Sequence, residues 1–177
     1  LRQAYAVPAE QTLFINGENR LQVEFYSFSN HHAFGVNYRC HGLSLFRFRH
    51  WLLSRQRQLD LPAKQLAELN REWQSMQQSD ARGELALPLP PAIVQFWENW
   101  ERDYGISGLR QPRGDDLLTE LAARAMQELQ PRLLLVNYND PDYVHWGNPT
   151  HYTRAITIMD EGLRRLVDLC DHLPFYR

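Results

Sequence analysis

The chain has 177 residues, with 19 lysines and arginines against 21 aspartates and glutamates and a formal net charge of −2. This balance excludes a basic nucleic-acid-binding domain of the usual kind and a strongly acidic tail protein. Hydrophobic residues make up 44% and charged residues 23%, proportions typical of one globular domain and not of a disordered chain. The longest aliphatic run, Leu133–Val136, is far too short to cross a bilayer, so no membrane span is expected.

The two ends of the chain suggest that it is a piece of a longer protein. It begins at Leu1 rather than at a methionine, no signal segment follows, and it ends on a loop signal at Leu173–Arg177. Catalytic residues that are missing from the chain are therefore expected to lie outside it. The two cysteines, Cys40 and Cys170, are too far apart in sequence for a metal knuckle or a disulfide framework, and they leave the compartment open.

Residues 1–42 are predicted to form a β-hairpin and a loop that belong to a catalytic domain. Two strand-like segments flank the dipeptide Asn16-Gly17, which strongly favours a hairpin turn. Residues 21–25 alternate between apolar and polar side chains with a period of two, as a half-buried strand does. We therefore expect a hairpin over residues 12–27 and a polar loop from there to residue 42.

Residues 43–112 are predicted to be a helical insertion or cap. Apolar residues recur at helical spacing in three segments, the first ending near Gln58, the second beginning at Pro62 and the third ending before Gly105. A proline-rich linker separates the second segment from the third. A helical interaction module confined to residues 43–104 is a further, weaker alternative.

Residues 113–177 are predicted to be a helix–strand–helix core unit that carries a metal-ligand loop. A helix capped by Asp115 or Asp116 precedes the continuous apolar run at 133–138, which is typical of a strand buried in a parallel sheet. Asn148, followed by a proline, marks the start of a last helix. The fold class predicted for the whole chain is α/β: part of an open, mostly parallel sheet with flanking helices, plus the helical insertion and the β-hairpin.

Polar side chains of metal-binding type follow this predicted strand. Asp140, Asp142 and His145 lie within six residues of one another, at the end of the strand where sites form in open α/β folds. Carboxylate oxygen combined with imidazole nitrogen suits zinc, manganese or iron better than magnesium. The alternative is structural, because aspartates after a strand often only make turns and a single histidine is more often not a ligand.

The segment Val136–Asn148, followed by Asp160-Glu161-Gly162-Leu163, resembles the alkaline phosphatase superfamily, and within it cofactor-independent phosphoglycerate mutase and the sulfatase-like members. The resemblance covers about residues 115–177. In that family the aspartate and the histidine of this loop bind one ion of a two-metal site, and Asp142 and His145 are the matching positions. The mutase pattern has three residues between the pair where this chain has two, so Asp140 is the second choice.

The resemblance implies a metal-dependent hydrolase or transferase that acts on small-molecule phosphate or sulfate esters. Its cofactors would be divalent ions, zinc or manganese, and its serine or threonine nucleophile would lie before Leu1. A further aspartate–histidine pair would lie after Arg177, so the fragment alone is expected to be inactive. Only the resemblance suggests an exported or periplasmic location. The alternative function is a non-catalytic binding or pseudoenzyme domain that keeps the same fold.

Two other features are weighed against simpler explanations. His31, His32, Cys40 and His41 share one loop, but their spacing fits no closed zinc pattern, and a polar loop is the preferred interpretation. The arginine-rich helix that follows could clamp an anionic substrate or contact lipid or nucleic acid. At this net charge a solvated helix face is preferred.

Overall fold

The computed structural model describes residues 7, 11–16, 41–80, 84–86, 88–105 and 114–177. This part of the chain is mostly helical. Its three strands are β1 (Thr12–Asn16), β2 (His41–Ser44) and β3 (Leu133–Asn137). Its six α-helices are α1 (Leu45–Gln56), α2 (Ala63–Ser79), α3 (Pro91–Tyr104), α4 (Gly114–Glu128), α5 (Asp140–Val144) and α6 (Pro149–His172).

The strands form one small parallel sheet in the order β2-β1-β3. β1 is the central strand: Leu13 lies opposite His41 of β2 on one side and opposite Leu134 of β3 on the other. A strand has only two hydrogen-bonding edges, and parallel neighbours occupy both edges of β1. No edge is left for an antiparallel partner, so the predicted β-hairpin is wrong. Residues 17–40, which include its second strand, lie outside the described residues.

The predicted α/β class, an open and mostly parallel sheet with flanking helices, is also wrong. Helices dominate the described residues, and the sheet consists of strands of five, four and five residues. One error is local. Residues 43 and 44, assigned to the first helix, belong to β2, and α1 begins only at Leu45. The His41–Ser44 sequence shows no alternation, so pairing with β1, rather than local propensity, makes this segment a strand.

Aromatic side chains on α1 and α3 form the centre of the core. Phe48, Trp97 and Trp100 are almost fully buried, and the Phe48 ring lies 5.4 Å from that of Trp97 and 6.2 Å from that of Trp100 between centroids. The same cluster includes Leu13 and Ile15 of β1 and the apolar face of α4. The helical segment and the sheet therefore share one core. The domain boundaries at residues 42/43 and 112/113 stay predictions.

The last helix, α6, packs along α4. Asn148 caps its first turn by accepting a hydrogen bond from the Thr150 amide at 2.8 Å. Its buried residues, Ala155, Gly162 and Leu166, form one stripe at helical spacing. In the described part of the chain, no helix is long and apolar enough to traverse a bilayer.

Candidate metal centre

The candidate ligands lie on a short helix that begins where β3 ends. Asn139 precedes α5, and its carbonyl oxygen accepts hydrogen bonds from the amides of Asp142, at 3.0 Å, and Tyr143, at 3.2 Å. Pro141 stands in the first turn, where a helix needs no amide donor. The predicted ligand loop is therefore a single helical turn at the carboxyl end of the sheet.

The structure brings Asp142 and His145 together. Nδ1 of His145 lies 3.7 Å from Oδ1 of Asp142, one turn apart on the same face of α5 and the turn after it. Both side chains are open to solvent, with 78% of the aspartate and 37% of the histidine side chain exposed. A carboxylate oxygen and an imidazole nitrogen are each donors that zinc and manganese accept.

A backbone contact fixes the tautomer of His145. Its Nδ1 lies 2.5 Å from the carbonyl oxygen of Asp142. A carbonyl oxygen only accepts, so Nδ1 is assigned the proton and Nε2 keeps the lone pair. A neutral imidazole oriented in this way binds a metal through Nε2. The exposed Asp142 carboxylate would have to turn towards Nε2 to share an ion, and its high exposure leaves room for that rotation.

Asp140, the second choice, is already engaged. Its carboxylate accepts a hydrogen bond from the Asp115 amide at 3.0 Å, at the start of α4. It therefore supports the first turn of another helix, although sequence reasoning considered it only as a ligand or a turn residue.

Sequence reasoning missed the role of Asp115. This residue was predicted to cap its own helix, but its fully buried carboxylate accepts hydrogen bonds from the amides of Asn139, at 2.8 Å, and Asp140, at 3.1 Å. Burial raises the pKa of the Asp115 carboxyl, and the hydrogen bond from Asn139 opposes that rise. A local sequence pattern does not predict this contact, because the two residues are 24 positions apart in the chain.

A cavity of about 710 Å³ lies between β3 and α6. Most of its lining is aliphatic and includes Leu134, Val136, Ile156 and Leu163. Neither Asp142 nor His145 lines it. The cavity is thus a separate feature, on the apolar flank of the strand that leads to the candidate ligands.

The donor set fits part of a metal coordination shell. Among the described residues, no cluster of three or more histidine, cysteine, aspartate and glutamate side chains is arranged to hold an ion. Asp142 and His145 can supply two donors, and a complete site needs others from residues not described or not in the chain. His31, His32 and Cys40 lie outside the described residues, and only the backbone of His41 is described, as part of β2.

The arginines of α1 are paired within the fold. Arg49 donates two hydrogen bonds to Glu72, at 2.7 and 2.8 Å, and Arg55 forms an ion pair with Glu101 at 2.7 Å. These contacts tie the two arginines to α2 and α3, so neither guanidinium is free to clamp an anionic ligand in this structure. The solvated helix face stays a prediction.

The chain matches no protein-family model, no curated protein and no solved structure.

Proposed function

We propose that this chain is a piece of a metal-dependent hydrolase or transferase that acts on phosphate or sulfate esters, of the alkaline phosphatase type. In this proposal Asp142 and His145 are two ligands of one divalent ion, zinc or manganese. The observation that carries the proposal is the proximity of the two side chains just past the end of β3, with Oδ1 of Asp142 3.7 Å from Nδ1 of His145. An ion held through Nε2 requires the Asp142 carboxylate to rotate towards that nitrogen. The sequence resemblance supports the proposal independently of that geometry.

Each residue has a defined task in this proposal. Asp142 contributes a negatively charged oxygen and His145 a neutral nitrogen, and the contact between Nδ1 and the Asp142 carbonyl holds the imidazole in the tautomer that binds through Nε2. A divalent ion at such a site polarises ester oxygens and makes a hydroxyl nucleophile more acidic. The nucleophile and the remaining ligands are proposed to lie outside this chain.

A non-catalytic domain is the second candidate. It is favoured by the two-donor site in the described residues and by the engagement of Asp140 with α4. An assay on a longer protein that contains this segment can distinguish the two functions. If the protein is the enzyme, it must hydrolyse a chromogenic phosphate or sulfate ester and lose that activity when Asp142 or His145 is replaced. If it is the pseudoenzyme, it binds an ester or an ion without turnover.

Metal binding by the chain itself tests the assignment of the ligands. We expect Zn²⁺ to bind weakly by calorimetry, and Mn²⁺ to broaden the ring signals of His145 in NMR spectra. Asp142→Ala and His145→Ala should each weaken binding at least tenfold, because half of a two-donor site is lost. The chain alone should show no turnover, and hydrolysis at ordinary enzyme rates would contradict the fragment interpretation.

The chain offers a matched control at the end of α6. His172 directly follows Asp171 and, like His145, places Nδ1 close to the backbone carbonyl of a nearby aspartate, Asp168, at 2.6 Å. His172→Ala should leave the affinity for Zn²⁺ unchanged. If His172→Ala weakens binding and His145→Ala does not, the ion binds at the helix end and the proposed site is wrong.

A further inference from the structure

We propose that Asp115 is a positioning residue for the candidate metal site, and that it holds the loop of Asp142 and His145 through a reciprocal clasp with Asp140. The clasp consists of the Asp115 and Asp140 carboxylates and the three backbone amides that donate hydrogen bonds to them. This inference rests on the proposed function, because it assigns the residue that keeps the two ligands in place.

Each carboxylate of the clasp supports the helix that carries the other. The carboxylate of Asp115, on α4, accepts hydrogen bonds from the backbone amides of Asn139 and Asp140, where α5 begins. Asp140, on α5, accepts the Asp115 amide at 3.0 Å. Charged acceptors on backbone amides at helix starts are among the stronger protein hydrogen bonds, because charge and dipole act together. The beginnings of the two helices are therefore tied in both directions.

Gly114 provides an independent sign that this junction is closely fitted. Its φ is +58°, a value that most side chains avoid, and a Cβ there would overlap the Asp140 carboxylate. The close approach of Asp140 to the first turn of α4 therefore requires glycine at this position. The clasp is built from backbone conformation as well as from the two acidic side chains.

A continuous series of hydrogen bonds leads from the clasp to the candidate ligands. The Asp115 carboxylate accepts a hydrogen bond from the backbone amide of Asn139. The carbonyl oxygen of Asn139 accepts one from the amide of Asp142 at 3.0 Å, and the carbonyl oxygen of Asp142 lies 2.5 Å from Nδ1 of His145. The last contact sets the tautomer of the imidazole. Asp115 thus acts on His145 through the backbones of two intervening residues, Asn139 and Asp142, without touching the ion.

The ligand loop depends on tertiary contacts to stay in place, and the clasp supplies three of them. α5 has five residues and none of them is buried, and a helix of one turn is not stable without tertiary contacts. Asn139, which is buried, joins α5 to the rest of the fold through the clasp. Loss of Asp115 should therefore free the ligand loop before it unfolds the larger core.

The experiment replaces Asp115 and measures the loop and the ion separately. In Asp115→Asn, which keeps one acceptor oxygen, we expect the amides of Asn139 and Asp140 to exchange faster with solvent and the affinity for Zn²⁺ to fall about tenfold. Asp115→Ala should weaken binding further. Asp116→Asn, a neighbouring exposed aspartate, is the matched control and should change neither quantity. All measurements are made where circular dichroism shows each variant to be folded.

The outcomes separate this inference from the proposed function. If the unmodified chain does not bind Zn²⁺ through Asp142 and His145, the proposed function fails, and the amide exchange still decides whether the clasp holds the loop. If the chain binds Zn²⁺ and folded Asp115→Asn binds it equally well, the positioning role is wrong. If the Asp115 variants do not fold, Gly114→Ala displaces the Asp140 carboxylate instead, and unchanged Zn²⁺ affinity and amide exchange in that variant would overturn the inference.

Discussion

Gly162 illustrates how closely α6 approaches its neighbours. The hydroxyls of Thr119 and Tyr138 lie 2.9 Å apart and hydrogen-bond beneath it, and a Cβ at residue 162 would overlap the Thr119 hydroxyl. Burial raises the pKa of the Tyr138 hydroxyl, so this hydroxyl stays protonated and can donate. Glycine is therefore the residue that lets α6 pack on α4 beside the strand that leads to the candidate ligands.

Gly162→Ala should lower the free energy of unfolding by about 1–3 kcal/mol, the usual cost of forcing an extra methyl group into a packed interior. Alanine favours helix over glycine by about 1 kcal/mol, so a net loss in urea denaturation must come from the overlap. Adding Thr119→Ala should restore part of the loss, because the hydroxyl that the methyl meets is gone. Gly147→Ala is the control, since its Cβ would make only an ordinary contact. Equal stability of Gly162→Ala and the unmodified chain would contradict the close approach.

At the scale of elements, the contact between α1 and α2 contains a stacked aromatic pair of which one member, His50, is titratable. The His50 ring stacks on Trp73 with 3.8 Å between centroids, and its Nε2 lies 2.6 Å from the side-chain amide nitrogen Nε2 of Gln77. Burial lowers the pKa of His50 below 6.5; Asp80 opposes this shift, and Arg47 and Arg57 add to it. The folded protein therefore favours the neutral imidazole at this contact.

The stability of the fold should consequently decrease on the acid side of pH 6.5. In the interval between the lowered pKa of folded His50 and 6.5, the unfolded chain binds more protons, so the free energy of unfolding falls as the pH falls. The contribution is complete above pH 6.5 and is lost below the folded pKa. Urea denaturation across this range should show the decrease, and His50→Gln should reduce its slope. An identical slope in the two proteins would contradict a neutral His50.

Helices were easier to predict than strands. α3, α4 and α6 are confirmed close to their predicted positions, because each has an apolar stripe with a period of 3.6 residues and a proline, glycine or asparagine at an end. β3 is confirmed at Leu133–Asn137 from its aliphatic run. β2 was missed and the hairpin was wrong, because strand pairing depends on distant partners that local alternation does not reveal.

The sequence indicated the candidate residues of the site but not the contacts that hold their loop in place. The residue types of the loop indicated Asp140, Asp142 and His145 as candidates, and the family resemblance selected Asp142 and His145. The structure places these two side chains 3.7 Å apart, and their role as ligands stays a prediction. The buried role of Asp115 could not be read locally, because it depends on how α4 meets α5. The same limit applies to Gly114, whose need for glycine comes from the Asp140 carboxylate.

At the scale of the whole molecule, β3 is one of the two edge strands of the described sheet. Its aliphatic run predicted burial on both faces, yet all five of its residues are only partly buried. Beside it, α6 exposes Ile156, Leu163 and Val167, and the 710 Å³ cavity lies between the two elements. An apolar patch beside a strand at the edge of the described sheet favours association with other chains.

We therefore expect the isolated chain to self-associate as its concentration rises. Leu163→Glu combined with Val167→Glu should shift sedimentation profiles towards the monomer without lowering the free energy of unfolding by more than about 0.5 kcal/mol, because exposed positions tolerate polar substitution. These two side chains are 55% and 52% exposed, whereas Leu166, between them in sequence, is 8% exposed. Leu166→Ala should instead cost about 2–5 kcal/mol by leaving a cavity in the core. A chain that stays monomeric at high concentration would contradict self-association through this patch.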